Sequence, residues 1–245
     1  MKIRLLKPLL IVGVLLMIWQ MVATLGSFPH YIFPSPQAVG QQLFTHAELL
    51  WQHTQVTLLE ICLGLLLGFL FGLISALLLS FSRQISAVLL PILVISQAIP
   101  VFAIAPLLVL WFGYGMASKI VMSVLIIYFP VTAACYDGLR NTPQAWLELA
   151  KTFNISPLRL LLKVRLPAAL PAFASGLRIA VSVAPIGAVV GEWVGSSEGL
   201  GYLMIHANAR MQVDLMFAAL LILVAISLCL YFSIDRLLHR FIWSV

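Results

Sequence analysis

Residues 84–118, which read QISAVLLPILVISQAIPVFAIAPLLVLWFGYGMAS, form a stretch of 35 residues without a formal charge. A helix needs about 20 mainly apolar residues to cross a bilayer, so this stretch is long enough to cross one and then turn. It contains Pro91, Pro100 and Pro106. Because proline removes a helical hydrogen bond and bends a helix, the sequence predicts one kinked transmembrane helix over about 87–110 and an uncharged turn.

The whole chain shares this apolar character. Of its 245 residues, 62% are hydrophobic and 9% are charged, whereas an ordinary soluble domain is about 45–50% apolar and about 25% charged. The mean hydropathy is +1.10. These values argue against a water-soluble enzyme, a disordered chain and a disulfide scaffold. They predict a single domain, residues 1–245, built in a lipid bilayer.

Five other apolar stretches bring the expected number of transmembrane helices to six. The first follows three basic residues and ends at about residue 25, and the others cover about 54–79, 120–136, 172–190 and 215–234. We interpret the first as a retained helix, because it is longer than a signal peptide's apolar region and no A-x-A cleavage site follows it. The predicted fold class is therefore an all-α integral membrane protein.

Basic residues set the expected orientation, since cytoplasmic loops of membrane proteins are enriched in Lys and Arg. With the N-terminus inside and six crossings, only Lys119 and Arg210 face outside, and Arg178 falls within the fifth span. Both termini are therefore expected in the cytoplasm. The inward-facing residues are Lys2, Arg4, Lys7, Arg83, Arg140, Lys151, Arg159, Lys163, Arg165, Arg236 and Arg240.

Two further patterns concern the surroundings of the spans. Aromatic residues and prolines at 28–36 are typical of a segment that lies along the lipid headgroups on the outer side. Gly64, Gly68, Gly72 and Ala76 recur every four residues and predict close approach of another helix. That helix belongs either to the same bundle or to a second subunit.

The net charge of +6 comes without a basic patch interleaved with aromatics, so we expect no nucleic-acid partner.

No motif for catalysis or metal binding is visible in the sequence. It lacks a phosphate-binding loop, an H-E-x-x-H pair and a G-x-S-x-G elbow. The histidines are scattered and the cysteines lie singly in apolar stretches. We therefore expect no catalytic residue, metal or cofactor. Glu60 is the only acid within a span, near one end, and Glu192 lies just past another, which argues against a proton relay.

Residues 137–167 form the most distinctive polar stretch. Thr142-Pro143 is typical of an N-cap followed by proline in the first helical turn, and Ser156-Pro157 repeats the pattern. Asn154, which tolerates the left-handed conformation, marks the turn between two short helices; the second covers about 158–166, and Pro167 should end it. The apolar stripe of the first helix consists of Trp146, Leu149, Ala150 and Phe153. Such a helix either lies flat on the headgroups or docks a cytoplasmic partner.

This stretch resembles the E-A-A motif of permease subunits of bacterial ABC importers. That motif is Glu-Ala-Ala, three residues, Gly, nine residues, Ile, one residue and Leu-Pro, and Glu148, Ala150, Leu166 and Pro167 occupy matching positions. The chain has Leu149 for the first Ala, Asn154 for Gly and Val164 for Ile. Asn is the best non-glycine residue for a left-handed turn, so the turn is expected to persist. Leu149 adds bulk at the docking face.

The resemblance covers nearly the whole chain and extends to the nitrate, sulfonate and taurine permease group. The segments that carry it are FPSP at 33–36, QAIP at 97–100, WFG at 111–113, GLR at 176–178 and GLG at 199–201. Within that group, GEWVG at 191–195 and HANAR at 206–210 are most similar to permeases for thiamine pyrimidine precursors.

The resemblance implies the type I permease fold of ABC importers, with a cytoplasmic coupling loop at about 137–167, in a bacterial inner membrane. It implies a homodimer, an ATP-binding ABC subunit that hydrolyses ATP, and an external solute-binding protein. The residues expected to couple to the ATPase are Trp146, Glu148, Leu149, Ala150, Phe153, Asn154, Val164, Leu166 and Pro167. The expected solute is small and polar: a thiamine pyrimidine precursor or, alternatively, a sulfonate, taurine or nitrate.

Gln97, Arg178 and Glu192 are candidates for the translocation pathway or its gate. For Arg178 a structural role is the competing interpretation, because its long stem lets it reach the headgroups or cap carbonyl groups. A secondary carrier or channel would usually show inverted repeats or intramembrane acids. A membrane enzyme would need clustered His, Asp or Glu at one membrane face.

Overall fold

The computed structural model describes residues 2–26, 29 and 31–242. Phe28 and His30, which belong to the predicted interfacial segment, lie outside the described residues. The structure also does not describe the side chains of Lys2, Arg4, Lys7 and Arg83. The described residues are mainly helical and contain no strand. The helices are α1 (Lys2–Leu25), α2 (Pro36–Thr45), α3 (Ala47–Phe81), α4 (Arg83–Ala98), α5 (Val101–Phe112), α6 (Met116–Arg140), α7 (Gln144–Thr152), α8 (Pro157–Leu160), α9 (Leu166–Gly195), α10 (Leu200–Ala209) and α11 (Val213–Ile242).

Four helical segments are long and apolar enough to cross a membrane. They are Ala47–Phe81, Met116–Arg140, Pro157–Gly195 and Val213–Arg240. The pair α4 and α5 passes the same test together, but its two helices are bent by 97°. The apolar part of α1, Leu10–Leu25, is shorter. Among the described residues this gives four spans, or five if the bent pair is one crossing, so the sixth span expected at α1 stays a prediction.

The bend between α4 and α5 corrects the expectation of one kinked span over 87–110. The break falls at Ile99-Pro100, where Ile99 has the extended dihedrals φ −84° and ψ 118°. A residue before proline is biased away from the helical region, which ends α4 there. Pro91 and Pro106 lie inside α4 and α5 without ending them.

Pro167 does not end a helix, contrary to the sequence prediction. α8 continues through a π-helical segment, Leu161–Arg165, directly into α9. There the N–H of Leu166 donates to the carbonyl of Leu161, five residues back. A π turn is wider than an α turn, so the chain passes into Pro167 without a clash, and the missing N–H falls in the first turn of α9. Pro171, expected before the fifth span, also lies inside α9.

α6 lies at the centre of the bundle, between α3 and α9. The glycines at 64, 68 and 72 all face it: a Cβ atom built on them would lie 2.5 Å from Ser123, 2.6 Å from Ile127 and 2.8 Å from Val131. On the other side of α6, Gly187 lies against the backbone of Ser123 in the same way. Small residues on α3 and α9 therefore let both helices approach α6 at backbone distance, and the stripe on α3 packs within this chain.

Candidate functional site

Three residues, 141–143, connect the end of α6 to the start of α7. Pro143 occupies the N-cap position with extended dihedrals. Thr142 was expected there, but its hydroxyl donates to the carbonyl of Leu139 at 3.0 Å and so closes α6. Because Thr142 precedes a proline, its own backbone is biased away from the helix. Ser156 does occupy the N-cap position of α8, followed by Pro157 in the first turn.

The turn after α7 has the left-handed geometry that the sequence predicts. Asn154 has φ +49°. Its N–H donates to the carbonyl of Lys151 at 2.9 Å, and the N–H of Ile155 donates to the carbonyl of Ala150 at 3.3 Å. This pair of bonds is a Schellman motif, which uses carbonyl groups left free at the helix end. It fixes the angle at which the chain leaves α7 and turns towards α8.

α7 presents its apolar stripe to the outside of the molecule. Trp146 is 51% exposed, Leu149 59% and Phe153 72%. These side chains border a groove of about 360 Å³, called the α7 groove below, whose lining is Trp146, Leu149, Ala150, Phe153, Ile155, Lys163, Val164 and Pro167. Exposed apolar surface of this kind outside the membrane marks an interaction surface.

The other predicted coupling residues take different places around the groove. Ala150 is buried, so it forms the floor of the α7 groove. Leu166 instead packs inward, beside a buried core that includes Leu161. Glu148 is exposed, and its Oε1 accepts a hydrogen bond of 3.4 Å from Gln144. The groove therefore comprises six of the nine predicted residues, without Glu148, Asn154 and Leu166.

At the opposite end of the bundle, charged groups are buried. Glu60 lies inside α3 and is fully buried. Its Oε1 accepts a hydrogen bond from the Nζ of Lys119 at 2.6 Å, and Lys119 is itself buried at the start of α6. Lys119 was expected in an outward-facing loop. It is buried instead, because an acid within a span requires a neutralising partner.

Glu192 belongs to the same buried region. It lies inside α9, not past the end of a span, and is fully buried. The hydroxyl of Thr57 donates to its Oε1 at 2.6 Å, and the backbone N–H of Gly201 donates to its Oε2. The N–H of Leu200 donates to Thr57 Oγ1 at 2.8 Å. Thr57, Glu60, Lys119 and Glu192, with these N–H groups of α10, are called the buried ion network below.

Two glycines let α10 approach the network. Gly199 has φ +112°, and a Cβ atom there would collide with the carboxylate of Glu192. A Cβ atom on Gly201 would lie 2.8 Å from Oε2 of the same carboxylate. The first N–H groups of a helix attract negative charge, so Glu192 caps α10 and ties it to α9. This explains the G-L-G segment that the sequence analysis singled out.

The three candidate pathway residues do not form one site. Arg178 Nε donates to Oδ1 of Asp235 on α11 at 2.6 Å, and both side chains are partly buried. Gln97 is exposed near the end of α4. Gln97, Arg178 and Glu192 share no hydrogen bond or ion pair among the described residues. Those residues also contain no group of three metal ligands.

The described chain is a bundle of apolar helices with a buried ion network at one end and an exposed apolar groove at the other. This arrangement defines the class of a polytopic membrane protein. Residues 68–243 match the family described as binding-protein-dependent transport system inner membrane component, and the chain belongs to that family. It is therefore an ABC importer permease, an inner-membrane protein.

Named relatives agree with this membership. The chain is 98% identical, over the full length of both, to "Probable ABC transporter permease protein" of Haemophilus influenzae. It is 38% identical to "Formylaminopyrimidine transport permease protein ThiX" of Halalkalibacterium halodurans, over 95% of this chain and 93% of that protein. It is also 38% identical to "Riboflavin transport system permease protein RibX" of Chloroflexus aurantiacus, over 92% and 86%.

A solved structure has the same fold. An inward-facing structure of the MetNI methionine ABC transporter matches with a TM-score of 0.68 and 23% identity, over 80% of this chain and 97% of that chain. The sequence prediction of an ABC permease fold is thus confirmed.

Proposed function

We propose that this permease subunit has no catalytic activity of its own. A separate ABC subunit hydrolyses ATP, and the permease couples that hydrolysis to the translocation path. The α7 groove is the observation that carries the proposal. Its apolar rim is exposed and its exit turn is fixed by two backbone bonds. The chain has no phosphate-binding loop of its own, so ATP binds the partner subunit.

The remaining partners follow from the same mechanism. Two copies of the chain enclose the path, and an external solute-binding protein delivers the solute to the end that carries the buried ion network. The α7 groove then lies in the cytoplasm, together with both termini. The excess of basic residues on that side supports this orientation.

For the solute we propose a small nitrogen heterocycle of the thiamine pyrimidine precursor type. The two relatives at 38% identity bear the names of a formylaminopyrimidine and a riboflavin permease. A sulfonate, taurine or nitrate is the alternative that the sequence segments at 33–36 and 97–100 support.

Growth of a deletion strain tests the substrate. The strain is supplied in turn with a pyrimidine precursor of thiamine, taurine, an alkyl sulfonate and nitrate, each as the sole source of the nutrient it provides. We expect growth on the pyrimidine to depend on this chain, with no difference for the other three. Dependence on taurine or the sulfonate instead would contradict the proposed substrate and leave the permease assignment intact.

A further inference from the structure

A cavity of about 490 Å³ opens at the same end of the bundle as the α7 groove but on a different side. It lies between the end of α3, the start of α4, the end of α6 and the π-helical segment before α9. Leu79 and Arg140, which line it, are close to the last residues of α3 and α6. Because these helices cross the membrane and α7 lies outside it, the cavity is at the level of the lipid headgroups.

The polar side of the cavity carries positive charge that the chain does not neutralise. Arg140 and Arg165 both line it, and no acidic side chain does. Neither arginine forms an ion pair among the described residues. The Nε atom of Arg165 is buried and has no hydrogen-bond partner there. A buried donor without a partner is unfavourable, so Nε of Arg165 requires a hydrogen-bond acceptor, and the two guanidinium groups favour an acceptor that is anionic.

The cavity also has an apolar lining. Ala87 is exposed and Leu90 is partly exposed there, whereas Leu79 and Leu139 are buried by the chain itself. A soluble anion would leave Ala87 and Leu90 against water, whereas a phospholipid places its glycerol and the first part of its acyl chains there. Basic pockets between membrane helices are suited to acidic headgroups, and a guanidinium binds phosphate through paired hydrogen bonds.

We propose that this cavity binds the phosphate group of an anionic phospholipid, with Arg165 holding the phosphate from inside and Arg140 from the rim. The bound lipid connects the end of α3 and the start of α4 to the end of α6, the helix that leads into α7. It therefore stabilises the segment from which the α7 groove is presented.

The experiment measures lipid binding by native mass spectrometry on the purified, delipidated full chain. Phosphatidylglycerol, phosphatidylcholine and inorganic phosphate are added separately. The variants are Arg165→Gln, Arg140→Gln and the control Arg159→Gln, whose side chain is exposed on α8 and does not line the cavity. Arg140 is exposed as well, so its replacement leaves the fold in place and keeps the test valid if Arg165→Gln misfolds.

We expect phosphatidylglycerol to bind the unmodified chain and Arg159→Gln, and both cavity variants to bind it about tenfold more weakly, as the loss of one charge-assisted contact implies. Equal binding by Arg140→Gln would overturn the proposal, as would equal binding of phosphatidylcholine. Displacement of the lipid by inorganic phosphate at the same concentration would show a site for a soluble anion and would also overturn it. Because no transport is measured, these outcomes are independent of the proposed function.

Discussion

The α7 groove and the buried ion network lie at opposite ends of α6 and differ in which side chains they expose. From Lys119 to Arg140, α6 spans about 32 Å at 1.5 Å per residue. The groove exposes apolar side chains and is made within one short stretch of chain, residues 146–167. The network buries charged side chains, and its members come from four helices. We propose that another protein completes the surface of the groove, whereas the network satisfies most of its own polar groups.

This difference indicates how the two ends divide the work of an importer subunit. At the network, Glu192 holds α10 to α9, Thr57 holds α3 to α9 and Lys119 holds α6 to α3, so hydrogen bonds join four helices there. At the groove, the Schellman turn fixes the end of α7 but leaves its apolar face exposed. We propose that a displacement applied to α7 passes along α6 to this joined end.

The largest effect is expected from breaking the network. Lys119→Met leaves Glu60 buried without a counter-charge, and removal of one partner of a buried pair costs about 3–5 kcal/mol. We expect a large loss of folded protein and of thermal stability in detergent. Lys151→Met, at an exposed lysine on α7, is the control and should have almost no effect on stability.

The double variant Glu60→Gln with Lys119→Met sharpens this test. It removes both charges, so it should be markedly more stable than Lys119→Met alone. If the single and double variants are equally stable, the ion pair does not hold α3 to α6 in the way described.

The next largest effect concerns the groove and should leave the fold unchanged. Leu149→Asp places a charge on the exposed apolar rim, and loss of a central interface residue costs about 2 kcal/mol or more of binding. We expect the ATPase subunit to be lost on co-purification while the thermal stability of the chain is kept. Gln144→Asp adds the same charge outside the groove and should retain the ATPase. Loss of folded protein in Leu149→Asp would contradict a docking role.

A smaller effect is expected at the turn that holds the groove. Asn154→Gly should be tolerated, because glycine adopts a positive φ freely. Asn154→Val should cost about 1–3 kcal/mol, since a β-branched residue is disfavoured there. The measurement is ATPase activity of the assembled transporter with and without solute. Equal activity of the two variants would argue against the turn as a determinant of coupling.

The smallest effect is expected at Arg178, which belongs to neither end. Its pair with Asp235 is partly exposed, and such pairs contribute on the order of 1 kcal/mol or less. Arg178→Gln should lower thermal stability slightly, and Arg178→Lys should lower it less, with an unchanged apparent affinity for the solute. A changed affinity with unchanged stability would instead place Arg178 in the pathway.

The same contrast explains what the sequence predicts well and what it does not. The turn at Asn154 and the apolar stripe of α7 follow from rules that act over a few residues. Lys119 was assigned to the outer side because the positive-inside rule considers only the side of the membrane on which a lysine lies. It does not consider whether the lysine has an acidic partner. Glu60, an acid within a span, was the signal that a partner had to exist, but no local rule connects residues 59 positions apart.

The helix ends show the limit of rules taken from soluble proteins. Pro167 was expected to end a helix and Pro171 to precede the fifth span. Instead, a π-helical segment leads directly into α9 before Pro167, and Pro171 lies inside α9. By contrast, Pro100 does break the helix, because Ile99 before it is extended. Whether a proline ends a membrane helix depends on the turn that precedes it and on the packing around it, which the sequence does not display.

Crosslinking from the groove tests the central claim, that the exposed face of α7 docks the ATPase. Leu149→Cys and Gln144→Cys are prepared separately in a chain whose three natural cysteines are replaced by alanine, and each is labelled with a photoreactive maleimide in membranes containing the complete importer. We expect a crosslink to the ATPase subunit that is several-fold stronger from position 149 than from position 144. Equal crosslinking from both positions, or crosslinking of position 149 to lipid alone, would contradict it.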